Sequence, residues 1–168
     1  LQPLRQLIAL ELEDRDHEPI PSLAPLAGLT NLTTLVLGGT PLFDLSALSS
    51  LVNLTTLSLP RSSITNLSGV QSLSRLASLA VYDNQVVDLT PLVGLTNLTQ
   101  LDVRLNSPTN YGLLAGFTNL NRLCVGWNYA VTNVSFLQNL RRLNWLDLGY
   151  SGVSNLLPLG NLTNLTYL

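Results

Sequence analysis

LTNLTQLDVRLN, at residues 95–106, is the stretch that decides the fold of this chain, because it reads as one β-strand with a turn at each end. Successive side chains of a strand point to opposite faces. Leu101 and Val103 therefore share an inward face, whereas Gln100, Asp102 and Arg104 share the outward one. A near copy, LTNLTTLVLGGT, stands at residues 29–40, and weaker copies recur about every 22 residues, which indicates a repeat protein.

Seven apolar positions define the repeating unit. Counting the first strand leucine as position 1, leucines or their substitutes fall at positions 1, 4, 6, 11, 14, 17 and 20. Positions 4 and 6 predict a strand, and the threefold spacing that follows predicts a tight 3₁₀-like or irregular helical return. Because no single unit can enclose its own leucines, the units must stack. We therefore expect an α/β solenoid with a parallel sheet of about eight strands, whose units begin at Leu7, Leu32, Leu54, Leu76, Leu98, Leu120, Leu143 and Leu165.

Two polar columns accompany the leucines. Position 9 carries Asn84, Asn106 and Asn128, where side-chain amides can satisfy backbone groups that the corner buries. Position 13 precedes the helical return, and Asp and Asn are favoured N-cap residues, so we predict helix caps there. The position-13 residues are Asp44, Asn66, Asp88, Asn110, Asn133 and Asn155.

The motif L-x-x-L-x-L-x-x-N, repeated along essentially the whole chain, resembles the leucine-rich repeat family. The segment DLTPLVGLTNL at residues 88–98 is similar to the 22-residue class. That class includes the bacterial internalins and the regulatory-subunit type that binds protein phosphatase 1. The resemblance implies a right-handed horseshoe with a concave parallel sheet, serving as a binding module rather than an enzyme. Three places depart from the pattern, namely residues 13–21, residues 106–117 and the vicinity of Tyr129.

Composition limits the choice of function. The formal net charge is −2 and no basic patch is evident, which argues against nucleic acid. One cysteine excludes an internal disulfide, no segment resembles a membrane span, and no cofactor is predicted.

A surface rich in Thr, Ser and Asn favours an extracellular or cell-surface setting, with the cytoplasm as the alternative. We expect one domain over residues 1–168 without caps at either end, hence a fragment or a unit that stacks end to end.

Outward residues become large in the half of the chain that follows residue 82. Aromatic residues and arginine are the usual anchors of protein interfaces. We therefore predict a protein partner on the concave sheet; a carbohydrate ligand on the same patch and a purely structural, end-to-end solenoid are the alternatives. The predicted partner-binding residues are Tyr82, Asp83, Gln100, Asp102, Arg104, Leu105, Arg122, Trp127, Trp145, Asp147, Tyr150 and Tyr167.

An enzymatic site is the weaker interpretation. Asp102 and Asp147 stand two strands apart, but on an open sheet we expect both carboxylates to be solvated. Cys124 is predicted to be exposed between them, and the single histidine, His17, is five strands away, so no base can activate the thiol. The acidic stretch at residues 11–18 matches no metal-binding pattern and is predicted to be a solvated face, with a weak calcium site or a contact to a basic partner as alternatives.

Overall fold

The computed structural model describes residues 4–13 and 20–168, with only the backbone of Glu13 included. Seven parallel strands form one sheet, and strands adjacent in the chain are adjacent in the sheet. They are β1 Ala9–Glu13, β2 Thr34–Gly38, β3 Thr56–Ser58, β4 Ser78–Ala80, β5 Gln100–Asp102, β6 Arg122–Cys124 and β7 Trp145–Asp147. The predicted fold class is thereby confirmed. The strand count differs from the expected eight, because the last unit contributes only an isolated bridge between Trp145 and Tyr167.

The returns opposite the sheet are 3₁₀ helices, as the threefold leucine spacing predicts. The third unit returns through turns instead, and there Gly69 has a φ of +105°. A β-carbon at Gly69 would collide with the carbonyl oxygen of Leu45, so a side chain cannot be accommodated. Within the described ranges, the 3₁₀ helices are Ala24–Leu26, Ser46–Ser50, Thr90–Leu92, Tyr111–Gly116, Ser135–Asn139 and Leu157–Asn161.

The inward leucines form one continuous core between the sheet and the returns. Leu98 and Leu101, from the segment LTNLTQLDVRLN, are fully buried. The burial of each such side chain contributes about 1.5–3 kcal/mol to the free energy of folding. Leu12, in the first unit, and Leu156, in the unit that begins at Leu143, are about half exposed.

The departure at residues 106–117 places aromatic residues in the core. Tyr111 and Phe117 are buried at positions where other units carry leucine, and Tyr111 stacks on Phe136 with ring centroids 6.4 Å apart. The Tyr111 hydroxyl lies beside Asn128 without a hydrogen bond of good geometry. Burial raises the pKa of Tyr111 well above its usual range, and Asn128 opposes this only in part.

The position-9 asparagines act as predicted. The side-chain oxygen of Asn106 accepts the N–H of Val86 at 2.9 Å, and its nitrogen donates to the carbonyl oxygens of Val81 and Arg104. The N–H of Asn106 donates in turn to the side chain of Asn128 at 2.7 Å, so the asparagines tie one unit to the next.

A second asparagine ladder, which was not predicted, runs along the residue that precedes position 1. Its members donate to a carbonyl oxygen of the preceding unit: Asn97 to Ser74 at 2.8 Å, and Asn119 to Thr96 at 2.9 Å. Both asparagines belong to the TN corner that precedes the strand. Asn31, Asn53 and Asn164 do the same.

The position-13 prediction was wrong in detail. Most of these side chains stand one residue before the N-cap and accept the N–H two residues ahead; Asp88, for example, accepts from Thr90 at 2.8 Å. This is the turn that Asp and Asn form with their own backbone. Asn110 does occupy the N-cap, but its side chain instead contacts the preceding unit by accepting from Leu89 and donating to Asp88.

The acidic stretch falls mostly outside the described residues. Asp14, Asp16, His17 and Glu18 are not part of the structure described, so the solvated-face prediction and its calcium alternative stay untested.

Candidate binding surface on the outward face of the sheet

The strand register assembles the predicted site residues into rows that run across the strands. Gln100, Arg122 and Trp145 are neighbours in one row at position 3, and Tyr167 continues it through its bridge to Trp145. Asp102, Cys124 and Asp147 form the row at position 5. Tyr82 and Arg104 stand at position 7, and Asp83, Leu105, Trp127 and Tyr150 at position 8.

The position-8 row, which in the described part of the chain runs from Gly39 to Tyr150, has a left-handed backbone throughout. The φ angles of Leu105, Trp127 and Tyr150 are +52°, +57° and +52°. A backbone bond holds this geometry from Gly39 to Trp127, since each position-8 N–H in that span donates to the position-7 carbonyl of the next unit, as Trp127 does to Gly149 at 2.6 Å. An L-residue in this conformation costs about 1–2 kcal/mol. The full row is Gly39, Arg61, Asp83, Leu105, Trp127 and Tyr150.

The aromatic side chains stack across the strands. Trp127 and Tyr150 have ring centroids 3.8 Å apart with planes at 22°, and Trp145 and Tyr167 are 3.5 Å apart at 7°. The guanidinium of Arg122 covers the other face of this second pair, 4.3 Å from the Trp145 ring centroid. These side chains nevertheless stay partly in solvent, with Trp127 exposed by 41% and Tyr150 by 64%.

Arg104 connects the two position-5 carboxylates. It contacts Asp102 at 2.6 Å and reaches across β6 to Asp147 at 3.5 Å. Side-chain exposure is 16% for Asp102 and 24% for Asp147, so the expectation of solvated carboxylates was wrong. The hydrogen bonds that Arg104 donates to Asp102 raise the pKa of Arg104 further above its usual range. Arg104 also lies 5.6 Å from the ring centroid of Tyr82, which confirms that the two residues are adjacent.

Cys124 is buried, which contradicts the predicted exposure. Cys124 lies on β6. Arg104, in the β5 unit, forms an ion pair with Asp147 on β7, and this ion pair crosses β6. Burial raises the pKa of the thiol to about 11, and the carboxylate of Asp102 adds to the effect. The thiol is therefore protonated and inert at neutral pH.

The surface also contains places that the sequence did not indicate. A cleft of about 130 Å³ lies between residues 20–24 and 42–47, beside the highly exposed Phe43.

In the described part of the chain, no group of three His, Cys, Asp or Glu side chains is placed to hold a metal ion. No helix within the described ranges is long and apolar enough to cross a membrane.

Comparison with solved structures identifies the class of the protein. Internalin C2 from Listeria monocytogenes is 34% identical, with a TM-score of 0.88 over 99% of this chain and 74% of that one. A second internalin (inlF) from the same species is 23% identical, with a TM-score of 0.74 over 99% of this chain. A leucine-rich-repeat protein from Leptospira interrogans is 20% identical, with a TM-score of 0.70 over 100% of this chain.

These likenesses define a leucine-rich-repeat solenoid. The identity and coverage shared with internalin C2 go further, and the chain belongs to the internalin family. It spans 63% and 56% of the other two proteins, for which the likeness concerns the fold alone. No protein-family model and no curated protein matches the chain.

Proposed function

We propose that this chain is a non-enzymatic recognition module that binds another protein through the outward face of β5–β7 and the position-8 row. The family supports a protein-binding role in general, and the proposed surface is the part of the sheet where large side chains concentrate. By the same family likeness, we propose that the chain works outside the cell or at the cell surface.

One observation carries the proposal: bulky side chains occupy a backbone conformation that favours glycine or asparagine. Leu105, Trp127 and Tyr150 all have φ near +55°, whereas the same position in the second unit is Gly39. Strained residues of this kind concentrate at functional sites and ligand clamps. Because these side chains are partly in solvent, their contribution to the core does not account for the strain.

The stacking geometry favours a protein over a carbohydrate. A sugar ring packs on an open aromatic face, but Trp145 is covered by Arg122 on one face and by Tyr167 on the other. Trp127 likewise loses one face to Tyr150. Both faces of the Trp145 ring are therefore occupied, and its edge, which carries the indole N–H, is the part that can donate a hydrogen bond to a protein surface.

The test compares two variants as baits for candidate partner proteins. Trp127→Ala combined with Tyr150→Ala removes the stacked pair, and Phe43→Ala removes a still more exposed ring beside the cleft between residues 20–24 and 42–47. We expect the first variant to bind its partner at least about 30-fold more weakly, or about 2 kcal/mol, because such anchors dominate interfaces. Phe43→Ala should bind as the original chain does. If the double variant binds with unchanged affinity while Phe43→Ala loses affinity, the interface is not on the proposed surface.

A further inference from the structure

The three arginines on the outward face of the described sheet differ in how they are paired. Arg61 contacts Asp83 at 3.3 Å, and Arg104 is shared between Asp102 and Asp147. Arg122 alone among the three has no carboxylate within ion-pair distance in the described chain. Asp102 and Asp147 are both directed to Arg104. In the described chain, the N–H groups of the Arg122 guanidinium therefore have no carboxylate acceptor.

Stacking fixes Arg122 in place without using its donors. The guanidinium lies 4.3 Å from the Trp145 ring centroid, and Tyr167 supports the indole from behind at 3.5 Å. A guanidinium that stacks by its face keeps its N–H groups at its edge, in the fork that matches a carboxylate. An immobilised side chain loses less conformational entropy when it binds, so this fork is preorganised.

We propose that Arg122 binds a carboxylate side chain of the protein partner, and that the position-8 row receives an apolar residue of the same partner segment. This inference rests on the proposed function. Position 3 and position 8 are five residues apart, and because β6 ends at Cys124, about 16 Å is the largest distance that these residues can span. An extended segment therefore needs an acidic residue and an apolar residue no more than about five positions apart to reach Arg122 and Trp127 together.

A selection experiment tests the proposal without a known partner. The full chain is immobilised and a phage-displayed library of random peptides is selected on it. We expect the selected peptides to be rich in Asp or Glu, with a large apolar residue no more than about five positions away. A synthesised peptide should bind Arg122→Gln about 10- to 100-fold more weakly, because a charge-assisted bidentate contact is lost.

Two further variants complete the design. Arg122→Lys keeps the charge but lacks the planar fork, so we expect intermediate affinity. Arg75→Gln is the matched control, since Arg75 is bonded to Asn53 in the ladder that precedes the strands, and it should bind as the original chain does. Circular dichroism melting of each variant checks that the fold persists.

The outcomes separate the two hypotheses. Peptides that need Trp127 and Tyr150, yet lack acidic residues and bind Arg122→Gln equally well, would overturn the role of Arg122 and leave the proposed function intact. Selection of no peptide, or of peptides indifferent to Trp127 and Tyr150, would overturn both.

Discussion

Replacing Leu105 by glycine and by alanine measures the strain in the position-8 row. Both substitutions remove the same packing, but alanine keeps a β-carbon in the left-handed region at φ +52°. That conformation costs alanine about 1–2 kcal/mol. Glycine avoids this cost but loses about 0.5–1 kcal/mol to its greater freedom in the unfolded chain. We therefore expect Leu105→Gly to be more stable than Leu105→Ala by about 0.5–1 kcal/mol.

Gln100 provides the matched control, because it lies on the same face in β5 with an ordinary negative φ. There the order should reverse, with alanine more stable than glycine by about 0.5–1 kcal/mol. Urea unfolding followed by circular dichroism gives the free energies, provided that the slope of each transition is the same. If Leu105→Ala is instead more stable than Leu105→Gly by the amount found at Gln100, the backbone at position 8 is unstrained, and the argument that bulky residues are kept there for binding fails.

Two further predictions concern buried polar groups. Asn106→Ala leaves the buried Val86 N–H without a partner, whereas the Val81 carbonyl keeps the hydrogen bond that Asn84 donates, so we expect a loss of about 1–3 kcal/mol in urea unfolding. Asn97→Ala, in the exposed second ladder, should cost no more than about 1 kcal/mol, and equal losses would contradict the assigned roles. Cys124, with a pKa near 11, should react with a thiol reagent at pH 8 at least 100-fold more slowly in the folded chain than in urea, and equal rates would show that it is exposed.

Periodicity was enough to predict the core and the first ladder. Leu101 is buried and Asn106 is bonded to the backbone because every unit of the solenoid imposes the same environment on the same position. Family resemblance then supplied the class of protein. These features depend on what the units share, and a repeat displays that directly in its sequence.

The details of the surface depend on side chains that reach beyond their own unit. Cys124 was correctly assigned to the row between Asp102 and Asp147, yet its burial was not predicted, and neither was the ion pair that Arg104 of the preceding unit makes with Asp147. The left-handed row was also hidden, because Gly39 is its single glycine and, apart from Asp83, the other members do not favour that conformation. Residue type and spacing contain too little information about rotamers to predict either feature.

The asparagine ladders have a mechanical consequence. Their hydrogen bonds join each unit to its neighbour, as those of Asn97 and Asn106 show, and therefore lie along the axis of stacking. Tension applied along that axis loads the junctions in series, so the weakest one opens while the others hold. The ion pair from Arg104 to Asp147 spans two junctions at once. A pulled chain should therefore lengthen in steps of one unit, and the segment around β6 should resist longer than segments that depend on the ladders alone.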